Sequence, residues 1–446
     1  MSKVIKSLKE FIRGDLALCV VKAPPGSGKT YTLIESLEVV IKSKLRVVIV
    51  AQTNNQVDQI CQRIVERFTD QTVYRYSSKS YDALSDGHER VSVVKHSSGL
   101  PVRSGIVVGT ASKFGLSELD GQFDLLFVDE AWQMAWADFL PMRHIAPRYV
   151  LIGDPGQIPP TIGIEVDRWE SSYFPPHVAT PQIILANPKL ADDLLALEIA
   201  VCRRLPADST ALVNGFYDFK FESDAQPGER FIRPTRQVAV DSLADDSVDR
   251  ALQQMWQSKE PYSTSMIGYP TPVSGPASGT DLELATFVGD IVKRLLDRKC
   301  EISTGPHERD KPRQLTINDI GVVSTHNQMN TAIQHVLVGI KKSYEKIRVT
   351  TPERWQGLEK PIMIAVHPLS GVTSPSGFDL ETGRLCVMSS RHEAACFFVT
   401  RDHISETLDA HLPSADQALG CADLVGRGHA MHRQFLHYHE QRNLIV

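Results

Sequence analysis

Short apolar runs rich in Val, Ile and Leu recur through the first 155 residues: LALCVVKA, RVVIVA, GIVVGT, DLLFVDE and YVLIGD. Each is nearly continuous rather than alternating, the pattern of a strand buried on both faces within a parallel sheet. Between the runs, apolar positions repeat at helical spacing. Val57, Ile60, Cys61, Ile64, Val65 and Phe68 make one stripe, and Leu33, Ile34, Leu37, Val40 and Ile41 make another. Strand and helix in alternation predict a doubly wound α/β domain. The proline-rich stretch from about Pro155 to Pro188 reads as surface loops, and a helical pattern follows from Leu190 to Ala200. A second α/β unit is expected from IGVVST, KIRVTT, IMIAVHP and CFFVT. The Pro/Ser/Gly-rich stretch PYSTSMIGYPTPVSGPASG, near 260–280, is expected to be an exposed loop. The domains are expected at 1–200 and 201–446.

Composition narrows the class without naming it. With 42% hydrophobic and 23% charged residues, the chain can bury a sizeable core. It contains no apolar run long enough to span a bilayer. The first fifteen residues, MSKVIKSLKEFIRGD, scatter charge where a secretory signal would have an apolar centre, so a cytoplasmic location and no membrane partner are expected. Seven cysteines with no Cys-x-x-Cys pair argue against a disulfide framework and against a zinc ribbon. A net charge of −5 means that any polyanion must be held by a local track rather than by a general field.

The chemistry begins at Ala23-Pro24-Pro25-Gly26-Ser27-Gly28-Lys29-Thr30, after one predicted strand and before a predicted helix. That context is what a phosphate-binding loop requires. Glycines let backbone N–H groups curl around phosphates, the helix N-terminus adds favourable partial charge, Lys29 reaches the β/γ-phosphates, and the Thr30 hydroxyl ligates magnesium. Ala23 stands where a glycine is usual and is tolerated if its φ is negative. The pair Asp129-Glu130 ends the run LLFV, where open α/β sheets bind ligands. Asp129 would hold magnesium, and Glu130 would position and deprotonate the attacking water. The same pair would also serve as a helix cap with an acidic first turn. A third strand end, Gly153-Asp154-Pro155-Gly156-Gln157, offers a glutamine that can sense the γ-phosphate.

At this point the chain resembles superfamily 1 helicases, P-loop NTPases, in the branch that holds the nonsense-mediated-decay helicase and its DNA relatives. APPGSGKT resembles motif I, VVIVAQTNNQVDQI motif Ia, VVGTASKF motif Ic, FDLLFVDEAWQM motif II and VLIGDPGQIPP motif III. CRRLP with NGFYDF resembles motif IV, and DIGVVSTHNQMNTAI the segment after it. VTTPERWQGLEKPIMI resembles motif V, and RLCVMSSRHEAACFFVT motif VI. The resemblance implies two tandem RecA-like domains that clasp ATP and Mg2+. It assigns Arg391 to the γ-phosphate from the second domain. Either Arg203 or Arg204 would join it: the distance to Phe216-Tyr217 favours the first, the Arg-Leu-Pro wording the second. Gln356, Gly357 and Glu359 would couple nucleotide to domain closure. Thr53 and Asn54, Thr110 and Ser112, and Thr351 would contact the nucleic-acid backbone as neutral donors, which fix a strand without reading its sequence. Caps and turns would use the same residue types. The chain departs from the family at Cys386 and Ser390 of motif VI and Trp355 of motif V, and no glutamine precedes Val20.

The expected activity is ATP-driven translocation on single-stranded nucleic acid, DNA ahead of RNA. The alternative is an ATPase switch that remodels or recruits a protein partner without nucleic acid. His429, His432, His437 and His439 are expected on a solvated amphipathic helix, and Trp132 and Trp355 in the core.

Overall fold

The computed structural model describes residues 1–446 except 82–88, 120, 164, 258–260, 276, 278–279, 307–310 and 412–422. The chain forms two compact units. One comprises Met1–Pro155 and Pro159–Ala200, the other Gly156–Ile158 and Val201–Val446.

The first unit is built on an eight-stranded parallel sheet. Across it the strands run Val91–Val94, Val73–Tyr76, Gly105–Thr110, Arg46–Ala51, Leu125–Val128, Tyr149–Gly153, Leu18–Lys22 and Leu194–Glu198. Alternate residues of each run enter two separate cores, which is why the runs are apolar throughout. Cys19, Val21, Val47, Ile49 and Phe127 pack on one face. Val20, Val48, Val50, Leu126 and Val128 pack on the other. The strand Tyr149–Gly153 lies between Leu18–Lys22 and Leu125–Val128, so three neighbouring strand ends bring Lys22, Gly153 and Val128 side by side.

The second unit repeats the scheme with a five-stranded parallel sheet: Thr264–Tyr269, His392–Arg401, Lys360–Val366, Ile320–Val323 and Arg348–Thr350. Ile320, Val322, Ile362, Ile364 and Phe397 fill one face. Val323, Met363, Ala365 and Phe398 fill the other. Both units are therefore RecA-like α/β layers with a central parallel sheet.

Four sequence expectations fail, each for a local reason. The leucines of Leu190–Ala200 suggest a helix, yet Leu194–Glu198 is a strand paired with Leu18–Lys22. Completing the open edge of a buried sheet outweighs helical propensity there. Proline-rich 155–188 is not all surface loop: Thr180–Ala186 is a helix with proline in its first turn, and it buries Ile183 and Ile184. Within 260–280, Thr264–Tyr269 is a largely buried edge strand pairing with His392–Arg401. Its flanking prolines, Pro261 and Pro270, lie outside the ladder, where they cost no hydrogen bond. The helix Leu424–Gln441 is solvated at His437 but not at His432 and His439, which are fully buried. His432 Nδ1 lies 3.4 Å from His367 Nε2. Burial pushes His432 down to about 3 and His439 down to about 4, so both rings are neutral core members.

Trp132 and Trp355 are core residues, the latter fully buried with its Nε1 donating to the Val322 carbonyl at 3.0 Å. All six described cysteines are buried and free.

One buried ion pair anchors the second unit. Arg401, at the end of its strand, donates from Nε and Nη2 to the two oxygens of Asp281 at 2.8 Å each, and Asp281 also caps the helix Leu282–Asp297. Asp281→Ala strands a buried guanidinium. We expect it to lower the stability of this unit by about 3 kcal/mol, read as a shift in the urea midpoint. A shift below about 1 kcal/mol would contradict this account.

Candidate functional site

The loop between Lys22 and the helix Lys29–Lys42 turns on two left-handed glycines, Gly26 at φ 65° and Gly28 at φ 79°. Ala23 does not take positive φ. It donates its N–H to the Gly153 carbonyl at 2.9 Å, so alanine fits where glycine is usual. The helix begins without a side-chain cap and without an acid in its first turn. Its first N–H groups are left to serve an anion. Ser27, beside Pro25 in the loop, is buried, and its Oγ has no protein partner.

Three strand ends converge on Lys29. Its Nζ lies 3.8 Å from Glu130 Oε1 and 3.6 Å from Asp154 Oδ2, and the Asp154 side chain is fully buried. Thr30 Oγ1 donates to Asp129 Oδ2 at 3.3 Å. Burial, with Glu130 adding repulsion, raises Asp129 to about 6. Lys29 works in the opposite direction. Glu130 adopts a left-handed backbone, φ 53° and ψ 43°, which is rare outside glycine and asparagine and turns the chain sharply out of the strand. These features fit a magnesium–triphosphate. The loop supplies oriented N–H donors, a lysine and an orphaned hydroxyl for the phosphates, and beside them stands a desolvated carboxylate–hydroxyl pair that a divalent cation would compensate. The sequence reading passed over Asp154 as a site residue; its signal was its place at the third strand end.

A second hollow in the first unit, of about 580 Å3, is lined by Thr53, Asn54, Thr110 and Ser112 together with Gln52, Ser78, Lys79 and Lys113. Thr53 and Thr110 are indeed caps: their Oγ1 atoms accept from Gln56 N and Lys113 N at 3.3 Å. Each hydroxyl keeps its own proton to donate. Buried Arg75 donates to Asn54 Oδ1 at 2.9 Å, so the Asn54 amide is oriented with its N–H2 directed elsewhere. Lys79, Lys113 and Arg75 were not foreseen. Lys113 sits inside the ASKF segment of motif Ic, where charge on an exposed helix turn was a readable signal.

In the second unit Arg204 is tied down. Its Nε donates to Glu359 Oε2 at 2.5 Å and its Nη1 to the Ser390 carbonyl at 3.2 Å. Arg204, Glu359 and the residue preceding Arg391 are thus brought together, and Arg391 is buried. Arg203 is exposed, and its carbonyl accepts from Arg230 at 2.8 Å. Gln356 and Gly357 (φ 76°) form the turn before Lys360–Val366. Thr351 is buried at the start of the helical turn Pro352–Trp355 in the second unit. Gln157 packs within the second unit, where its backbone lies so close to Gly383 that a Cβ there would meet it at 2.7 Å.

The family described as AAA domain matches residues 3–97 and 100–164, which hold the loop, Asp129-Glu130 and Asp154. The first unit is accordingly similar to that family over the residues that carry the loop. The DNA polymerase alpha-associated DNA helicase A of Saccharomyces cerevisiae is 23% identical over 445 residues, covering 84% of this chain. The chain spans 61% of that relative's length. Solved structures that align include Arterivirus nonstructural protein 10 (helicase), at TM-score 0.43, 14% identity, and 91% and 64% of the two chains. The PRRSV helicase aligns at TM-score 0.41 and 13% identity, over 90% and 55%. The chain is thus similar to an AAA domain in its first unit and, over most of its length, to a DNA helicase.

Proposed function

We propose that this protein hydrolyses ATP and uses the cycle to move along single-stranded nucleic acid, DNA ahead of RNA, in the cytoplasm. The observation that carries the reading is the constellation around Lys29: an ammonium within 4 Å of Glu130 and Asp154, and the Thr30–Asp129 pair at 3.3 Å, at the uncapped start of a helix.

In this reading the loop N–H groups, Ser27 and Lys29 hold the β- and γ-phosphates. Thr30 and Asp129 would hold Mg2+, which would supply positive charge beside the phosphate oxygens. Glu130 takes a proton from the attacking water. Arg391 and Arg204 stabilise charge on the γ-phosphoryl from the second unit, Gln157 senses that group, and Gln356, Gly357 and Glu359 transmit its loss. Glu359 is suited to transmission because it already grips Arg204. The hollow with Thr53, Asn54, Thr110 and Ser112 receives backbone phosphates, and Lys79 and Lys113 add local positive charge that the overall balance lacks. Thr351 extends this track in the second unit.

Phosphate release measured with and without single-stranded DNA or RNA tests the proposal. Stimulation by one or both is expected. Robust hydrolysis indifferent to polynucleotide, with no strand bound at low salt, would favour the switch that acts on a protein partner. Absence of hydrolysis under every polynucleotide would end both readings.

A pH dependence follows from Asp129. At subsaturating MgATP, turnover should fall as pH drops through about 6, because the protonated acid of the ligand-free site must lose its proton to take a cation. The sign for folding is opposite. A carboxyl raised from 3.8 to about 6 contributes stability that is complete below the unfolded value and is lost as pH rises through about 6. For this group, the ligand-free protein should be more stable at pH about 5 than at about 7.5, and MgATP should abolish the difference. Thermal unfolding at the two pH values, with and without MgATP, provides the check, and a ligand-free stability that rises with pH in Asp129→Asn and wild type alike would refute it.

A further inference from the structure

Three consecutive residues, the two that link the helix Thr382–Ser389 to the strand His392–Arg401 and the first of that strand, are fastened to three different parts of the second unit. The Ser390 carbonyl accepts from Arg204 Nη1 at 3.2 Å. The Arg391 carbonyl accepts from Lys360 N at 3.0 Å. His392 is held through its ring, with Nε2 2.7 Å from Ser209 Oγ on the helix Ala207–Val213. The ring is fully buried, as is Ser209. A buried histidine needs a reason to be there, since leucine or phenylalanine would fill the same space without a polar group to satisfy.

Behind the ring runs a chain of hydrogen bonds. Ser209 Oγ lies 2.6 Å from Ser263 Oγ. Ser263 Oγ donates to Asp208 Oδ1 at 2.7 Å, and Ser263 N donates to Asp208 Oδ2 at 2.8 Å. Counting protons fixes the direction. Burial raises the Asp208 carboxyl while the Ser263 N–H and O–H bonds hold it down; in its ionised form it only accepts, and the single hydroxyl proton of Ser263 then goes to Asp208. Ser209 must then donate to Ser263, and it can only accept from His392. The imidazole is therefore the Nε2–H tautomer, and its Nδ1 is a buried acceptor with no partner. Burial, with Arg204 and Arg230 adding repulsion, pushes this histidine down to about 3, so the ring stays neutral.

We propose that His392 is a positioning residue for Arg391: the Asp208–Ser263–Ser209 chain pins its ring, and one peptide link fixes where the Arg391 side chain leaves the backbone. This rests on the reading of Arg391 as the group that meets the γ-phosphate. Neither neighbour of Arg391 can rotate without breaking a bond, on one side to Arg204 and on the other to Ser209. The His392 bond is the one made by a side chain of the strand itself. A guanidinium displaced by an ångström loses much of its effect on a transferring phosphoryl.

The test compares ATP turnover, with a single-stranded oligonucleotide present, in wild type, His392→Ala, Ser209→Ala, His392→Gln, Arg391→Ala and the His392→Ala/Arg391→Ala double variant. Thermal unfolding is recorded for each. His392→Ala should lower kcat about tenfold with KM for ATP nearly unchanged. Ser209→Ala should do the same in part, and His392→Gln, which can still donate to Ser209, should recover most of the loss. In the Arg391→Ala background, His392→Ala should add less than about twofold. If His392→Ala does not fold, Ser209→Ala alone and combined with Arg391→Ala makes the same comparison. Full multiplication of the two losses, or a loss confined to KM or to the unfolding midpoint, overturns the proposal. Unchanged turnover in Arg391→Ala would instead overturn the assignment of Arg391, and the inference with it. Nitrogen-15 NMR of the folded protein gives an independent reading. A proton on Nε2 of His392 is expected between pH about 6 and 8, and a proton on Nδ1 overturns the chain.

Discussion

Glu130→Gln should reduce ATP turnover about a thousandfold while leaving nucleotide binding nearly intact. Glutamine keeps the length and shape of the side chain but cannot accept a proton from water. The left-handed turn at φ 53° is a backbone property that glutamine bears as glutamate does, so the loop should keep its course. Lys29 would lose one carboxylate at 3.8 Å but retain Asp154 at 3.6 Å, so the lysine that holds phosphate stays anchored. Phosphate release with a single-stranded oligonucleotide measures the first effect, and equilibrium binding of a fluorescent ATP analogue the second. Turnover within about tenfold of wild type would remove Glu130 from the role of base.

Lys29→Ala should be as severe for a different reason, and it should be visible even without nucleotide. Binding of ATP should weaken by at least about a hundredfold, because a buried ammonium facing phosphate is replaced by an apolar stub. In the ligand-free protein the same change removes the cation that lies between Glu130 and buried Asp154. Lys29 now works to lower Asp129, so its removal drives that acid further upward. Stability tied to such raised carboxyls is present at low pH and lost as pH rises. Lys29→Ala should therefore be destabilised more at pH about 8 than at about 5.5. Isothermal titration with ATP and unfolding at both pH values would establish this. A variant that binds ATP normally would contradict the whole phosphate site.

The parallel sheets were legible because burial on both faces leaves a continuous apolar run, as in RVVIVA, where alternate residues feed two cores. Edges were not. Leu194–Glu198 and Thr264–Tyr269 are marginal in composition and become strands only because a neighbour presents an open row of backbone groups. Val73–Tyr76 and Val91–Val94, at the far edge of the first sheet, escaped for the same reason. At the site, residues within one motif were readable from spacing: Lys29 and Thr30 open the helix after the first strand, and Asp129 and Glu130 follow the end of another. What spacing does not carry is which side chains meet across the sequence. Arg204 is tied to Glu359 155 positions away. Arg75, on the strand Val73–Tyr76, orients Asn54 at the start of a helix, and the Ser209–His392 bond spans 183 positions. Each is set by packing of elements, for which local pattern offers no signal.

The interior placement of the thiols makes them built-in reporters. Cys19 and Cys61 belong to the first unit, and Cys202, Cys300, Cys386 and Cys396 to the second. Burial pushes Cys19, Cys61 and Cys300 up to about 12, so an alkylating reagent finds almost no thiolate there while the fold is closed. Modification at these positions should report opening, and mass mapping of the alkylated peptides would show which half of the polypeptide loosens first and which half a bound nucleotide protects.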